Sequence, residues 1–345
     1  MVLTKLREEI LSSPRLNSNR GRLGGVVVIG GANIDLRGRP EETLARHTSN
    51  PGKINISSGG VGRNIAHNLA LLNVPVTLLS AVGDDGEGVR ILEETGKAGV
   101  KMDQVIISGK YPTGIYLAIL DSEGEMEVAV SDMQILEEIT VEYLRSKAYL
   151  IKESKMVVVD TNIPEQSIQY VVEICNKVKV PILVEPVSVE KAKKLPGAID
   201  GRWNIDYITP SRDELESISG IGIDDDQDML RAVKELKYKG VRNVIVTLGE
   251  RGIYVSSDNC GEERLDKFIK SYKGEVVDVT GAGDALVAGM VYGIFLSYPL
   301  EMVAKFGLAA AALTIYSKEA VRRDLREGLL RSRVEEDNKE GRRLI

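Results

Sequence analysis

Asp278-Val279-Thr280-Gly281-Ala282-Gly283-Asp284-Ala285 stands between the apolar pair Val276-Val277 and the apolar run Ala285–Phe295. The order predicts a strand, a tight turn and a buried helix. Gly281 and Gly283 let the backbone turn without Cβ atoms in the way. The unpaired N–H groups at such a helix start converge on one point, and an anion suits that point. Asp284 cannot be the anion's partner, because like charges repel. It can accept a proton from a hydroxyl that attacks a bound phosphoryl group. The same residues also fit an N-capping Asp after a glycine-rich turn, and taken alone they leave both readings open.

Working outward, the chain of 345 residues is long enough for one large α/β unit with a small appendage. Its 43% hydrophobic content is ordinary for a globular core. Lys and Arg number 45 against 51 Asp and Glu, a net charge of −6, which argues against a general nucleic-acid binder. A small phosphate held by backbone amides is compatible with that balance. Cys175 and Cys260 are far apart and have no metal-ligand spacing, as expected of free thiols in a reducing compartment. No apolar run is long enough to span a bilayer, and the start carries no signal-peptide pattern. A cytoplasmic location is expected; Arg15-Leu16 followed by Arg22-Leu23 is a near miss to a peroxisomal address.

Residues 1–24 are polar and basic and are expected outside the fold; the charged stretch 331–345 is expected to be a solvated tail. Val26-Val27-Val28-Ile29 predicts a strand buried on both faces. It leaves Asn33 and Asp35 near its C-terminal end, where open α/β sheets hold ligands. Residues 36–58 lack a helical period, and together with 104–131 they predict a small β lid. Gly59-Gly60-Val61-Gly62-Arg63-Asn64 opens an apolar helix, bringing Arg63 and Asn64 to close backbone range of a ligand. Val76–Val82 predicts one buried strand.

Beyond residue 131, strands at Met156–Val159, Ile182–Glu185, Tyr207–Thr209 and Asn243–Thr247 alternate with helical patterns at 164–179, 212–219 and 227–239. That alternation predicts a mostly parallel sheet with helices on both faces. A buried helix follows at Met302–Tyr316. Asp224-Asp225-Asp226 reads as a helix start rather than a cation site. His47 and His67 lack a second ligand at metal spacing, and the chain has no G-x-x-x-x-G-K-[ST] loop.

The two glycine motifs, Gly59–Asn64 and Asp278–Asp284, together resemble the two signature regions of the PfkB, or ribokinase-like, sugar and nucleoside kinases; the resemblance covers about residues 25–320, within a kinase domain expected over 25–330. The resemblance implies an ATP-dependent kinase with Mg²⁺, acting on a small-molecule acceptor. Asp284 would be the base, and the amides of Gly281, Ala282 and Gly283 the anion hole. Asn33, Asp35, Gly59, Gly60 and Asn64 match positions around the sugar hydroxyls, and Asn162 joins them. Ser211, Thr247, Gly249, Gly252, Thr280, Gly281 and Gly283 match the nucleotide side. Glu214 would hold Mg²⁺ through water. Asp278 and Thr280 match positions that hold K⁺ in potassium-activated members. The chain departs from the family in two places: Ser211 replaces the Asn of Asn-x-x-Glu, and Ser317-Lys318-Glu319-Ala320 lacks the usual glycine-containing turn.

Within the family, Ser49–Ile54, Gly124-Glu125-Met126, Ser131-Asp132-Met133 and Glu185–Ser188 resemble the pseudouridine-kinase subgroup. That implies phosphorylation of the 5′-hydroxyl of this nucleoside, with Lys53 and Ser131 supplied by the lid for the base. A lid sheet has edges to protect, so a homodimer through the lids is expected. A kinase for ribose or another nucleoside is the alternative, followed by a silent binding protein on the same scaffold. Neither a nucleic-acid nor a membrane partner is expected.

Overall fold

The computed structural model describes residues 24–257, 265–274, 276–317 and 319–343, with side chains in the last helix as far as 336. The expected extension up to residue 23, the address-like pattern within it, Cys260, Lys318 and the final two residues lie outside the described residues.

β1 (Val26–Ile29) leads into β2 (Asn33–Pro40) and β3 (Gly52–Gly59), and the helix Val61–Leu71 follows. Then come β4 (Val76–Leu79), β5 (Ala81–Gly83), the helix Gly86–Lys97, β6 (Ile106–Ser108), β7 (Gly114–Leu120) and β8 (Met126–Asp132). Next are β9 (Met156–Asp160), the helix Glu165–Val178, β10 (Ile182–Glu185) and β11 (Ile205–Ile208). Helices Arg212–Ser219 and Asp226–Tyr238 precede β12 (Val241–Thr247), β13 (Ile253–Ser257) and β14 (Leu265–Ile269). Helices Ala282–Phe295, Leu300–Ile315 and Glu327–Arg343 complete the described chain.

The central sheet runs β14-β13-β12-β11-β10-β9-β1-β4. From β12 to β4 all neighbours are parallel, while β13 and β14 add an antiparallel edge. Alternation along β1 explains its continuous apolar sequence. Val26 and Val28 enter one core with the helices Val61–Leu71, Ala282–Phe295 and Leu300–Ile315. Val27 and Ile29 enter the other, with the helices Glu165–Val178, Arg212–Ser219 and Asp226–Tyr238. The expected mostly parallel sheet with helices on both faces is therefore present.

Four expectations are corrected. Val76–Val82 is two strands, because Ser80 breaks the ladder and donates its hydroxyl to the Gly30 carbonyl at 2.6 Å. β4 stays in the central sheet, whereas β5 pairs with β6 in a separate two-stranded sheet. Residues 106–108, expected in the lid, are thereby drawn out of it. Val276-Val277 forms no strand; the Val277 and Asp278 amides instead donate to the carbonyl of Ile315, at 2.8 and 3.2 Å. Finally, the charged stretch from 331 begins inside a helix, where Leu330 and Val334 are buried one turn apart.

The lid is the four-stranded sheet β3-β2-β7-β8. Its register sorts the side chains by face. Leu36, Ile56, Leu117 and Val130 form one cross-strand row, and Ile54, Ile119 and Val128 extend that apolar face. The opposite face has the row Ser57, Asp35, Tyr116, Ser131. One face is thus apolar, with Leu36 against the core and Ile54, Ile56, Leu117, Val128 and Val130 exposed; the other is polar and turned to the candidate site.

Candidate active site

β10, β11 and β12 end at a cleft of about 200 Å³. Glu185, Thr209 and Thr247 enter it from the strand ends, Ser211 and Glu214 from the next helix start, and Gly283 and Asp284 from the helix Ala282–Phe295. This is the position that a parallel sheet leaves for a ligand.

The helix Ala282–Phe295 begins at Gly281, whose φ of 76° places it in the left-handed region. A Cβ there would lie 2.0 Å from the Ala320 carbonyl oxygen, so glycine is required twice over. No side chain caps this helix. Ala282 donates its amide to the Val279 carbonyl at 3.2 Å, whereas the amides of Gly281, Gly283 and Asp284 have no backbone acceptor among the described residues. Of the three amides expected in the anion hole, Ala282's is thus engaged in the turn. Gly283 is exposed, with open space where a Cβ would stand.

The Asp284 carboxylate accepts a hydrogen bond from Asn64 Nδ2 at 2.8 Å, which joins the two glycine motifs. Burial pushes its pKa up to about 7; the nearby Asp160 and Asp35 add to the rise, and Asn64 and Arg63 oppose it. A carboxyl tuned near neutrality is suited to taking a proton from an alcohol. Arg63 is itself buried beneath the site, donating to Thr95 Oγ1, the Ser58 carbonyl and Asn64 Oδ1 at 2.9, 3.1 and 3.1 Å. It fixes the Asn64 amide so that its NH₂ group faces Asp284.

Asn33 donates to Asp35 Oδ1 at 2.7 Å, and Gly59 leaves the space that the Asp35 carboxyl fills. Gly60, with φ at 96°, packs against the Gly31 carbonyl. Asp160, at the end of β9, accepts from the amides of Gly31 and Gly62 at 2.9 and 2.7 Å. It also accepts the Asn162 amide at 2.8 Å, which brings Asn162 beside Gly31. Lys191 holds the Asn162 side-chain oxygen. Asn33, Asp35, Gly59, Gly60, Asn64 and Asn162 are therefore gathered on one side of Asp284.

Ser131 shares the Asp35 row across β7. Lys53 does not: it pairs with Arg39, four residues along β3 from Ser57, roughly 13 Å away at the strand rise per residue. It shares the polar face but stands toward the lid tip.

Of the residues expected on the nucleotide side, Ser211 and Thr247 are bridged to each other, and both line the cleft. Gly249 and Gly252 shape the turn after Thr247, with φ of 58° and 93°. Ser211 caps its helix: its hydroxyl accepts the Glu214 amide at 3.3 Å, and Glu214 Oε2 accepts the Ser211 amide at 2.8 Å. Among the described residues no group of three or more acidic, His or Cys side chains could enclose a metal. Glu214 fits Mg²⁺ nonetheless, since that ion needs few carboxylates, keeps waters and leans on substrate phosphates.

Glu185, legible as a polar strand end though given no role, faces the cleft, accepting the Thr209 hydroxyl, and burial raises its carboxyl pKa well above the ordinary value. Two contributors escaped the sequence reading. Tyr116 lies in the Asp35 row, which only the register reveals. Arg37, on β2, donates to Asp278 Oδ2 at 3.2 Å and to Thr280 Oγ1 at 2.9 Å. Nothing in the sequence joins residue 37 to residue 278.

The chain matches the family described as pfkB family carbohydrate kinase over residues 24–325. It is 40% identical to the pseudouridine kinase of Escherichia coli over 265 residues, 77% of this chain and 82% of that protein. It is 30% identical to the guanosine-inosine kinase of Exiguobacterium acetylicum, across 85% of this chain and 95% of that protein. Among solved structures, the Arabidopsis thaliana ribokinase complexed with ribose and ATP superposes with a TM-score of 0.77 at 24% identity, covering 90% of this chain and 98% of that one. No helix among the described residues is long and apolar enough to cross a membrane.

Proposed function

The chain belongs to the pfkB family of carbohydrate kinases, which phosphorylate an alcohol group, and from that premise we propose that it transfers the γ-phosphoryl group of ATP to the 5′-hydroxyl of pseudouridine. The observation that carries the chemistry is the Asp284 carboxylate beside the open amides of a helix N-terminus, held by Asn64 at 2.8 Å. Asp284 takes the proton of the attacking hydroxyl. The Gly281 and Gly283 amides receive the charge on the transferring group. Glu214 would hold Mg²⁺ through water, and Ser211, Thr247, Gly249 and Gly252 would line the nucleotide. Asn33, Asp35 and Asn162 orient the sugar.

The choice of pseudouridine is supported by the likeness to the Escherichia coli enzyme. The lid motifs and the placement of Ser131 beside the Asp35 row also favour it. Lys53 serves this reading only if the lid bends its tip toward the base. ATP consumption against pseudouridine, uridine, inosine, guanosine and ribose tests it. Turnover is expected with pseudouridine well above the others; a preference for a purine nucleoside or for ribose would reject the acceptor and keep the chemistry.

We also propose a homodimer through the outer lid face. Ile54 is 71% exposed, Val130 61% and Val128 55%, on a sheet face that also carries Ile56, Leu117 and Ile119. A second copy of the same face is the self-complementary cover for it. Light scattering at micromolar protein is expected to give a dimer, and Ile54→Asp combined with Val128→Asp a folded monomer. A wild-type monomer would end the proposal.

A further inference from the structure

Arg37 reaches from the lid into the turn that precedes the open amides. Its guanidinium donates from Nη1 to Asp278 Oδ2 at 3.2 Å and from Nη2 to Thr280 Oγ1 at 2.9 Å. The other Asp278 oxygen accepts the Thr280 amide at 2.8 Å. Both carboxylate oxygens and the threonine hydroxyl are thus engaged before any ion arrives. Burial alone would raise the pKa of Asp278, but the bonds from Thr280 and the Arg37 charge outweigh it and lower the pKa, so the group is an anion at neutral pH.

Asp278 and Thr280 match positions that hold a monovalent cation in potassium-activated members of the family. The residues present do not fit one. A fixed positive charge already sits on the anionic oxygen, and a second cation beside it would meet like charge. One neighbouring backbone oxygen is also in use: the Ile315 carbonyl accepts the Val277 and Asp278 amides. The register explains why the arginine reaches this spot. Arg37 lies two residues beyond Asp35 on β2, so it projects from the same polar face of the lid.

We propose that Arg37 is a positioning residue which takes the place of a monovalent cation, holding the Asp278–Thr280 turn, and so the Gly281 and Gly283 amides, in register. The proposal rests on reading those amides as the phosphoryl site. Because the charge is carried by the lid, the turn is braced by the same sheet that covers the substrate. Potassium is dispensable in consequence, and Arg37→Ala opens a cation-sized gap against Asp278.

The experiment compares wild type, Arg37→Ala and Arg37→Lys, using an acceptor that wild type phosphorylates, in sodium, potassium and guanidinium chloride at matched ionic strength. Wild-type turnover itself tests the kinase reading, separately from the Arg37 arms. Wild type is expected to run equally in sodium and potassium. In sodium, Arg37→Ala should lose about tenfold or more in kcat, the size that supporting contacts carry, with little change in acceptor KM. Potassium or guanidinium should restore much of that loss, and Arg37→Lys should lie between. Melting curves supply a second readout: Arg37→Ala gains stability in potassium over sodium, and wild type does not. Potassium activation of wild type, wild-type kcat in Arg37→Ala, or a loss that neither cation repairs would each overturn the proposal.

Discussion

Asp284→Asn is expected to bind nucleotide and nucleoside while losing about 10²- to 10⁴-fold in kcat, the range a positioned general base contributes. The amide keeps an oxygen for Asn64 Nδ2 and nearly the same volume, so the site geometry persists while the proton acceptor is lost. Single-turnover phosphoryl transfer and calorimetric binding, measured on the same preparation, separate the two effects. Wild-type kcat in this variant would end the base assignment.

The raised pKa adds two consequences. With Asp284 near 7, kcat/KM of the wild type should climb through that pH and fall about tenfold per unit below it. A flat profile from about pH 6 to 9 would argue against Asp284 as the titrating base. The sign for stability runs against activity. The folded carboxyl binds its proton more tightly than the unfolded one, whose value is near 3.8, so this group's contribution to stability falls as pH rises from there through about 7. Above that pH its full cost is present. Asp284→Asn lacks it and should melt higher than wild type in alkaline buffer. An inactive but more stable variant is what a functional carboxylate beneath protein implies.

Gly281→Ala has the second largest expected effect. The new methyl would meet the Ala320 carbonyl oxygen at 2.0 Å, with φ at 76° disfavouring any side chain. Strain of this kind costs about 1–3 kcal/mol, and relief by shifting the turn would displace the amides, for which about 10²- to 10³-fold in kcat is a fair expectation. Gly283→Ala is the control for cause. Nothing stands within 4 Å of its added Cβ, so the fold should melt as wild type. Gly283 lines the cleft, so activity should still fall as the methyl enters ligand space. If Gly283→Ala turned over normally, its amide would not lie against the reacting group.

The alternation of strand and helix from Met156 to Thr247 was legible because it follows from hydrophobic period and turn chemistry, which are local. Asp284 and Asn64 were legible as motif members, each beside glycines that signal close backbone approach. What the sequence hid is non-local. Ser80 ends a strand through a bond to Gly30, fifty residues away. Asp160 serves both Gly31 and Gly62, a role that no spacing encodes. Lys53 was assigned to the base from its segment alone, whereas register puts it with Arg39. Arg37 looked like one more surface charge until the lid carried it to Asp278.

The two-faced lid limits how this protein can vary. Successive residues on β2, β3, β7 and β8 serve opposite sides, one toward the candidate site and one away from it. Gaining or losing a single residue inside a strand would turn the remaining polar side chains outward and the apolar ones inward. One indel would thus spoil recognition and the outer surface together, with no intermediate in which only one is harmed. Length changes that persist in descendants of this chain belong in the connections at 41–51 and 121–125, or come inside the strands as compensated pairs.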